Sequence, residues 1–328
     1  MKIIKSYSAS KRILVIGATG FLGANLVSYQ YPMEEYEIIG IGRKVQPEWF
    51  TGKYHQKLDF SERAINSTIE SLKPDVIVNC AAITSHDACE SNPDLADLIN
   101  TKLAVSLAKS ALDNGAKFVQ ISSDAVFSGM RVTEPYREGD ITSPFSKYGE
   151  TKLRAEIGIL DINSNALIIR VNFFGWSPGG HRSILEFIAS ELLKGNQIEG
   201  FTDYIVTSQY VETLLRDTYE LFERDISGVV HLSSKDAVSK FDFGLLVAKE
   251  FGLKSELITP TLFGKSDTGT AVSRSRNLML DSSFAEELLG RDRQCQLDGI
   301  KIARERIRLV PKMFHTPPDD WRNNENWQ

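Results

Sequence analysis

The chain has 328 residues, 42% hydrophobic and 25% charged, enough for one large α/β unit or two domains sharing a core. A net charge of −5 offers no basic field for nucleic acid, and no apolar run approaches the roughly 18 residues a membrane span needs. Cys80, Cys89 and Cys295 form no metal-type cluster and read as reduced thiols of a cytoplasmic protein. Met1 to Arg12 has lysines but no apolar core segment, so no secretory signal is expected. His55, His86, His181, His231 and His315 are scattered, and each is expected at a surface or in a satisfied loop rather than on a metal.

The first element is Arg12 to Ile16, a short β-branched run that stops at Gly17-Ala18-Thr19-Gly20-Phe21-Leu22-Gly23. An amphipathic segment, Ala24 to Tyr29, follows, so the order is strand, glycine-rich turn, helix. Gly17 allows the tight turn, Gly20 lets backbone N–H groups approach a pyrophosphate, and Gly23 lets the helix pack on the strand. The helix N-terminus then presents unpaired N–H groups and a positive dipole end to phosphates. The spacing is GxxGxxG rather than the standard GxGxxG, and an ordinary turn is the competing reading. The second strand, Tyr36 to Ile41, ends in Gly42-Arg43-Lys44, where NAD-binding units carry an acid for the ribose 2′-hydroxyl. Arg43 can instead fork onto a 2′-phosphate, with Lys44 beside it. The cofactor expected is NADP(H), with NAD(H) as the alternative; a solvated loop is the plain reading of the two charges.

Val76 to Ala82 is a strand running into small residues, which let a cofactor lie against the backbone. A helix is expected from Asp94 to Asn114, ended by Asn114-Gly115 as a C-cap. The next strand, Lys117 to Ser123, places Ser123 at its carboxyl end, where open α/β sheets gather ligands. After a turn at Asp140 to Pro144, Tyr148 opens a helix, and Ala166 to Val171 is a further strand. This βαβ alternation predicts an α/β fold with a doubly wound, parallel, Rossmann-type sheet. After Asn172 the pattern breaks into a turn-rich excursion, Phe174 to Gly180, then helices and isolated strands. Residues 1–171 are therefore read as the NADP-binding domain and 172–328 mainly as a smaller, interleaved substrate-binding lobe. A strand at 228–234 returns to the sheet edge, and the polar tail, Thr316 to Gln328, is expected to pack loosely.

Tyr148 and Lys152 stand four residues apart and share one helix face. With the Ser123 hydroxyl beside them they make a device for moving a proton on or off a carbonyl oxygen. Free tyrosine titrates near 10, and bringing it to roughly 7 takes about 4 kcal/mol of differential stabilisation. The Lys152 cation is expected to supply it by favouring the phenolate. The competing readings are a chance spacing and a strand-end serine that caps a turn.

Eight segments then fall in a telling order: GATGFLG at Gly17–Gly23, PDVIVNCAA at Pro74–Ala82, ACESNPDLADLIN at Ala88–Asn100 and ISSDAVFSG at Ile121–Gly129. They continue with PFSKYGETKLRAE at Pro144–Glu156, LIIRVNFFGW at Leu167–Trp176, GFTDYIVTSQYVETL at Gly200–Leu214 and SRSRNLMLD at Ser273–Asp281. In these segments the chain resembles an extended short-chain dehydrogenase/reductase, and within that superfamily the dTDP-4-dehydrorhamnose reductase group of sugar-nucleotide reductases. The resemblance implies Ser123, Tyr148 and Lys152 as a catalytic trio, with the last two also touching the cofactor. It implies that Thr19, Phe21 and Leu22 line the phosphate loop with Gly17, Gly20 and Gly23. Asp59 and Phe60 would sit by the adenine, Ala81 and Ala82 by the ribose, and Asn172 and Phe173 near the nicotinamide. Asp59 is equally read as a turn residue. Asn100 falls where the superfamily places a structural, proton-relaying asparagine. Ser85, Ser123, Asp124, Ala125, Trp176 and Arg274 are the implied substrate contacts, and no metal is implied.

Four departures fall largely around the substrate rather than the cofactor, one of them Arg170-Val171-Asn172-Phe173 in place of the group's RTSW. The group's TDYVFDG is here Ser123 to Gly129, in which Ala125 removes an aromatic ring and Ser128 a carboxylate. Gln209 stands where proline is common. The activity implied is NADPH-dependent reduction of a nucleotide-linked 4-keto-6-deoxy sugar, in deoxysugar or polysaccharide precursor biosynthesis, by a homodimer. Two alternatives stay open: a non-catalytic NADP-binding regulatory subunit like that of methionine adenosyltransferase, and an NAD-retaining sugar-nucleotide epimerase or dehydratase.

Overall fold

The computed structural model describes residues 11–28, 36–50, 52–56, 61–131, 133–263 and 276–307. Asp59, Phe60, Arg274 and the tail from Thr316 lie outside the described residues. Six strands, β1 (Lys11–Ile16), β2 (Tyr36–Gly42), β3 (Lys53–Gln56), β4 (Val76–Asn79), β5 (Lys117–Ile121) and β6 (Leu167–Val171), join Gly228–Leu232 in one sheet. Its order is Gly228–Leu232, β6, β5, β4, β1, β2, β3, and every pair is parallel. Both faces are covered, which is why the central strands are apolar throughout rather than alternating with polar residues. Ile13, Val15, Val78, Val119 and Ile169 point to one core. Leu14, Ile16, Ile77, Phe118 and Ile168 point to the other, as the two-residue period of a strand requires.

The chain leaves β1 toward β2 and β3 on one side and resumes at β4 on the other. The connections after β1 and β4 therefore diverge, and a crevice opens at their carboxyl ends. The single helix expected over Asp94 to Asn114 is three pieces: Pro93–Asp97, a π-helical turn at Leu98–Lys102, and Leu103–Asp113. The wide turn places Asn100, which is buried, against the loop after β4. Gly115 closes the run at φ +69°.

Beyond Asn172 come the helices Ile184–Leu193, Val211–Glu223, Lys240–Phe251, Ser283–Leu289 and Gln296–Arg306, with short strand pairs between them. Their apolar faces do not form a separate core. Trp176, Leu185, Phe243 and Ile300 continue the cluster that begins at Ile13 and Val15. Among the described residues no helix is long and apolar enough to cross a membrane, and no cluster of metal-ligating side chains occurs.

Candidate active site

The glycine-rich turn sits at the crevice between β1 and β4. Gly17 adopts φ +82°, and its N–H and that of Ala18 both donate to the Ile41 carbonyl, at 2.8 and 3.0 Å. A Cβ on Gly17 would stand 2.8 Å from the Ala81 nitrogen, and one on Gly23 would stand 2.3 Å from the Gly17 oxygen. Neither contact is tolerable, so these two glycines build the turn. Gly20, Phe21 and Leu22 face the open space. Among the described residues no backbone oxygen accepts from the N–H groups of Phe21, Leu22 or Gly23, the first turn of the helix Phe21–Ser28. Three free donors at a positive helix end fit a dinucleotide pyrophosphate. Arg43 and Lys44 are exposed just past β2, with their carbonyls held by Gln56 and Tyr54 at 3.1 and 2.7 Å.

A cavity of about 540 Å³ runs from this turn across the carboxyl ends of the strands. It is lined by Gly20, Phe21, Leu22, Cys80, Ala82, Thr84, Ile121, Ser122, Ser123, Asp124, Tyr148, Lys152, Val171, Asn172, Phe173 and Arg182. Tyr148 and Lys152 come from the helix Lys147–Ile162, whose N-cap is Ser146. Gly149 sets how close this helix comes: a Cβ there would lie 2.2 Å from the Ala125 oxygen. Any side chain would push Tyr148 away from Ser123. Lys147 N–H donates to Glu90 at 2.8 Å, and the His86 ring lies 5.1 Å from that of Tyr148.

The electrostatics differ from the expected phenolate. Burial pushes the Tyr148 hydroxyl well above its ordinary range; the Ser123 hydroxyl opposes this, while Asp124 and Cys89 add to it. Lys152 is not among the groups that shift the tyrosine, and its Nζ donates to the Ile121 carbonyl at 2.6 Å. Burial pulls Lys152 down to about 8, and the Glu156 carboxylate and Cys80 pull it back up. Tyr148 is thus a neutral phenol that holds its proton, the form an acid must have. Behind it, Arg170 grips Glu156 at 2.7 Å, and Ser122 donates to the same carboxylate. Both ions are almost fully enclosed.

Ser123 precedes a 3₁₀ turn at Asp124–Val126 and caps it, accepting from the Ala125 N–H at 3.1 Å. Its hydroxyl donates to Asp124 Oδ1 at 2.9 Å. Asn172 Nδ2 donates to the other Asp124 oxygen at 2.7 Å, and Ser208 donates to Asn172 Oδ1 at 2.6 Å. Burial raises Asp124 to about 6 against the pull of Asn172, Ser123, Lys240 and the Ala125 N–H.

Several expected contacts lie elsewhere. Trp176 is 3% exposed, donates its indole N–H to the Ala303 carbonyl at 2.8 Å, and packs in the core rather than on the cavity. Ala125 is buried within the 3₁₀ turn and does not line the cavity. Ser85 caps the helix His86–Ser91, and Thr84 lines the cavity instead. Ala81 lies under Gly17, and Thr19 packs beside Gly42. Asn100 does not line the cavity; it accepts from Ile83 N–H at 2.7 Å and donates to Thr151 at 3.0 Å, tying the β4 loop to the tyrosine helix. His231 is neither surface nor loop: it is fully buried in the edge strand beside Arg170, and burial pulls it down to about 3. Cys80, Thr84, Ser122 and Arg182 were not foreseen. Arg182 is held at the rim by its own N–H, which donates to Glu186 at 2.9 Å.

This strand order, with a phosphate-type turn and a Ser-Tyr-Lys set meeting over its switch point, is that of an extended short-chain dehydrogenase/reductase. The chain belongs to the RmlD family within that group: the model described as RmlD substrate binding domain matches residues 11–305. It is 31% identical over 279 residues to the probable low-salt glycan biosynthesis reductase Agl14 of Haloferax volcanii, covering 84% of this chain and 91% of that protein. It is 30% identical over 287 residues to methionine adenosyltransferase 2 subunit beta of Bos taurus, covering 85% and 83%. The fold matches the crystal structure of dTDP-4-dehydrorhamnose reductase from Bacillus anthracis in complex with NADP, with TM-score 0.79, 24% identity, and 89% and 98% of the two chains covered.

Proposed function

We propose that the protein uses NADPH to reduce the ketone of a nucleotide-linked 4-keto-6-deoxy sugar, with Ser123, Tyr148 and Lys152 as its catalytic residues. One observation carries this reading: the Ser123 and Tyr148 hydroxyls share a cavity with the free N–H groups of the glycine-rich turn. Gly20, Phe21 and Leu22 would hold the pyrophosphate, Arg43 and Lys44 a 2′-phosphate, and Ala82, Asn172 and Phe173 the nicotinamide riboside. When bound, the nicotinamide supplies hydride to the carbonyl carbon. The chain does the rest. Ser123 and Tyr148 orient the ketone oxygen, and Tyr148 gives its phenolic proton to that oxygen as it becomes an alkoxide. Lys152 would turn from the Ile121 carbonyl to the cofactor ribose. Arg182 suits the diphosphate of the sugar nucleotide, since its guanidinium is carried to the rim by a loop pinned to Glu186. On this reading residues 1–171 hold the cofactor, residues 172–328 mainly shape the substrate side, and a homodimer works in the cytoplasm.

The likeness to a methionine adenosyltransferase subunit favours a second reading, a cofactor-binding regulatory protein. The intact hydroxyl pair at the cavity argues for turnover. NADPH oxidation against a panel of dTDP-, GDP-, UDP- and CDP-linked 4-keto-6-deoxy sugars, with NADH as control, decides between them. Turnover of one of these is expected; NADPH binding with no turnover on any would overturn the reductase reading.

A further inference from the structure

Ser123 has one proton to give, and in the structure it goes to Asp124. The hydroxyl donates to Oδ1 at 2.9 Å and accepts from the Ala125 N–H at 3.1 Å. A serine hydroxyl has a single donor, and an ionised carboxylate has none. While Asp124 is charged, Ser123 therefore offers a ketone oxygen only lone pairs, which repel it. The other side of Asp124 is committed: Asn172 Nδ2 donates to Oδ2, and Ser208 satisfies the Asn172 oxygen, which keeps the NH₂ group facing the acid. A proton on Asp124 therefore belongs on Oδ1, against Ser123.

From this geometry we infer that Asp124 is a positioning residue that acts as a carboxylic acid, donating from Oδ1 to Ser123 Oγ and turning the Ser123 proton toward the substrate carbonyl. The inference rests on the ketone-reduction reading. Asp124 keeps its proton through the cycle; the proton that reaches the alkoxide leaves Tyr148, so nothing else is gained or lost at Asp124. Burial favours the acid form, since Asp124 is 4% exposed and raised to about 6. The charged and titratable groups acting on it are Lys240, at the start of the helix Lys240–Phe251, which favours the carboxylate, and Tyr148, which stays neutral. A ketone seated over the pair displaces water and favours the acid further.

The test compares pH profiles of kcat for the wild type, Asp124→Asn and Asp124→Ala, with NADPH and the keto sugar nucleotide turned over. In the wild type kcat is expected to fall tenfold per pH unit on the alkaline side of one pKa. The amide of Asp124→Asn accepts from Asn172 and donates to Ser123, so that variant should lose this limb and stay at least about tenfold above Asp124→Ala. Asp124→Ala leaves the Ser123 proton in place but removes the group that aims it, and should fall about 100-fold below the wild type at acid pH, the loss that misplacing a catalytic group can bring. A turnover-free arm follows the carboxyl carbon of ¹³Cγ-aspartate by NMR in the NADP⁺ complex. The signal absent from Asp124→Asn should titrate near 6, and its midpoint should move in Ser123→Ala. Wild-type turnover in Asp124→Ala, a limb that survives in Asp124→Asn, or a signal that titrates below 4 and ignores Ser123→Ala would overturn the inference. If no keto sugar is reduced at all, the reductase reading fails, while the NMR arm still decides whether Asp124 holds a proton against Ser123.

Discussion

The glycine-rich turn and the Ser123–Tyr148 centre border one cavity and are built by opposite means. The turn is made of backbone: Gly17 and Gly23 fit because a Cβ at either would strike main-chain atoms, and the donors it leaves free are main-chain N–H groups. The Ser123–Tyr148 centre is made of side chains held by other buried side chains. Asn172 and Ser208 hold Asp124, Asn100 ties two elements together, and Glu156 with Arg170 anchors Ser122 beside Ser123. A backbone site is written in consecutive residues. A side-chain site draws on positions far apart in the chain, and each partner is a separate way to lose it.

Four substitutions set this contrast in order of expected effect. Tyr148→Phe removes the proposed proton donor while leaving the turn untouched. Turnover should drop about 100- to 10,000-fold, as for loss of a general acid, while NADPH titrated by fluorescence binds as before. Wild-type turnover would remove Tyr148 from the chemistry. Glu156→Ala strips the partner from buried Arg170 and should cost about 3–5 kcal/mol of stability in urea unfolding. A cost near zero would mean that the pair is not holding the centre.

Gly23→Ala should cost about 1–3 kcal/mol, because the helix must move off the Gly17 carbonyl, and NADPH affinity should fall with it. Affinity that survives intact would mean that the turn has more slack than a 2.3 Å contact implies. Arg43→Ala is the mildest. It should weaken NADPH about fivefold, roughly 1 kcal/mol for an exposed ion pair, and leave NADH unchanged. Equal losses for both cofactors would take the 2′-phosphate away from Arg43.

Legibility followed the same division. The strand before Gly17, the turn and the helix after it are adjacent in sequence, and their spacing alone carried the turn to its place. Ser123 and the Tyr148–Lys152 pair were also legible, one at a strand end and the other at a four-residue helical spacing. Gly149, a glycine inside a helical run, is another local signal of close approach, and the main chain it meets is the Ala125 carbonyl. Trp176 looked like a pocket aromatic, yet its indole finds an acceptor at Ala303, 127 residues away. His231 looked scattered, yet it is walled in by Arg170, which lies 61 residues earlier.

The parallel sheet, the turn at its switch point and the presence of Ser123, Tyr148 and Lys152 at one cavity could be read from the chain alone, because period, glycine spacing and residue type are local properties. Charge states came from packing between distant parts of the chain. That packing turned Lys152 onto the Ile121 carbonyl, left Tyr148 protonated and raised Asp124 beside Ser123. The physical reason is that a pKa is set by burial and by neighbours in space, and the depth of a side chain is not a property of the residues beside it in the chain.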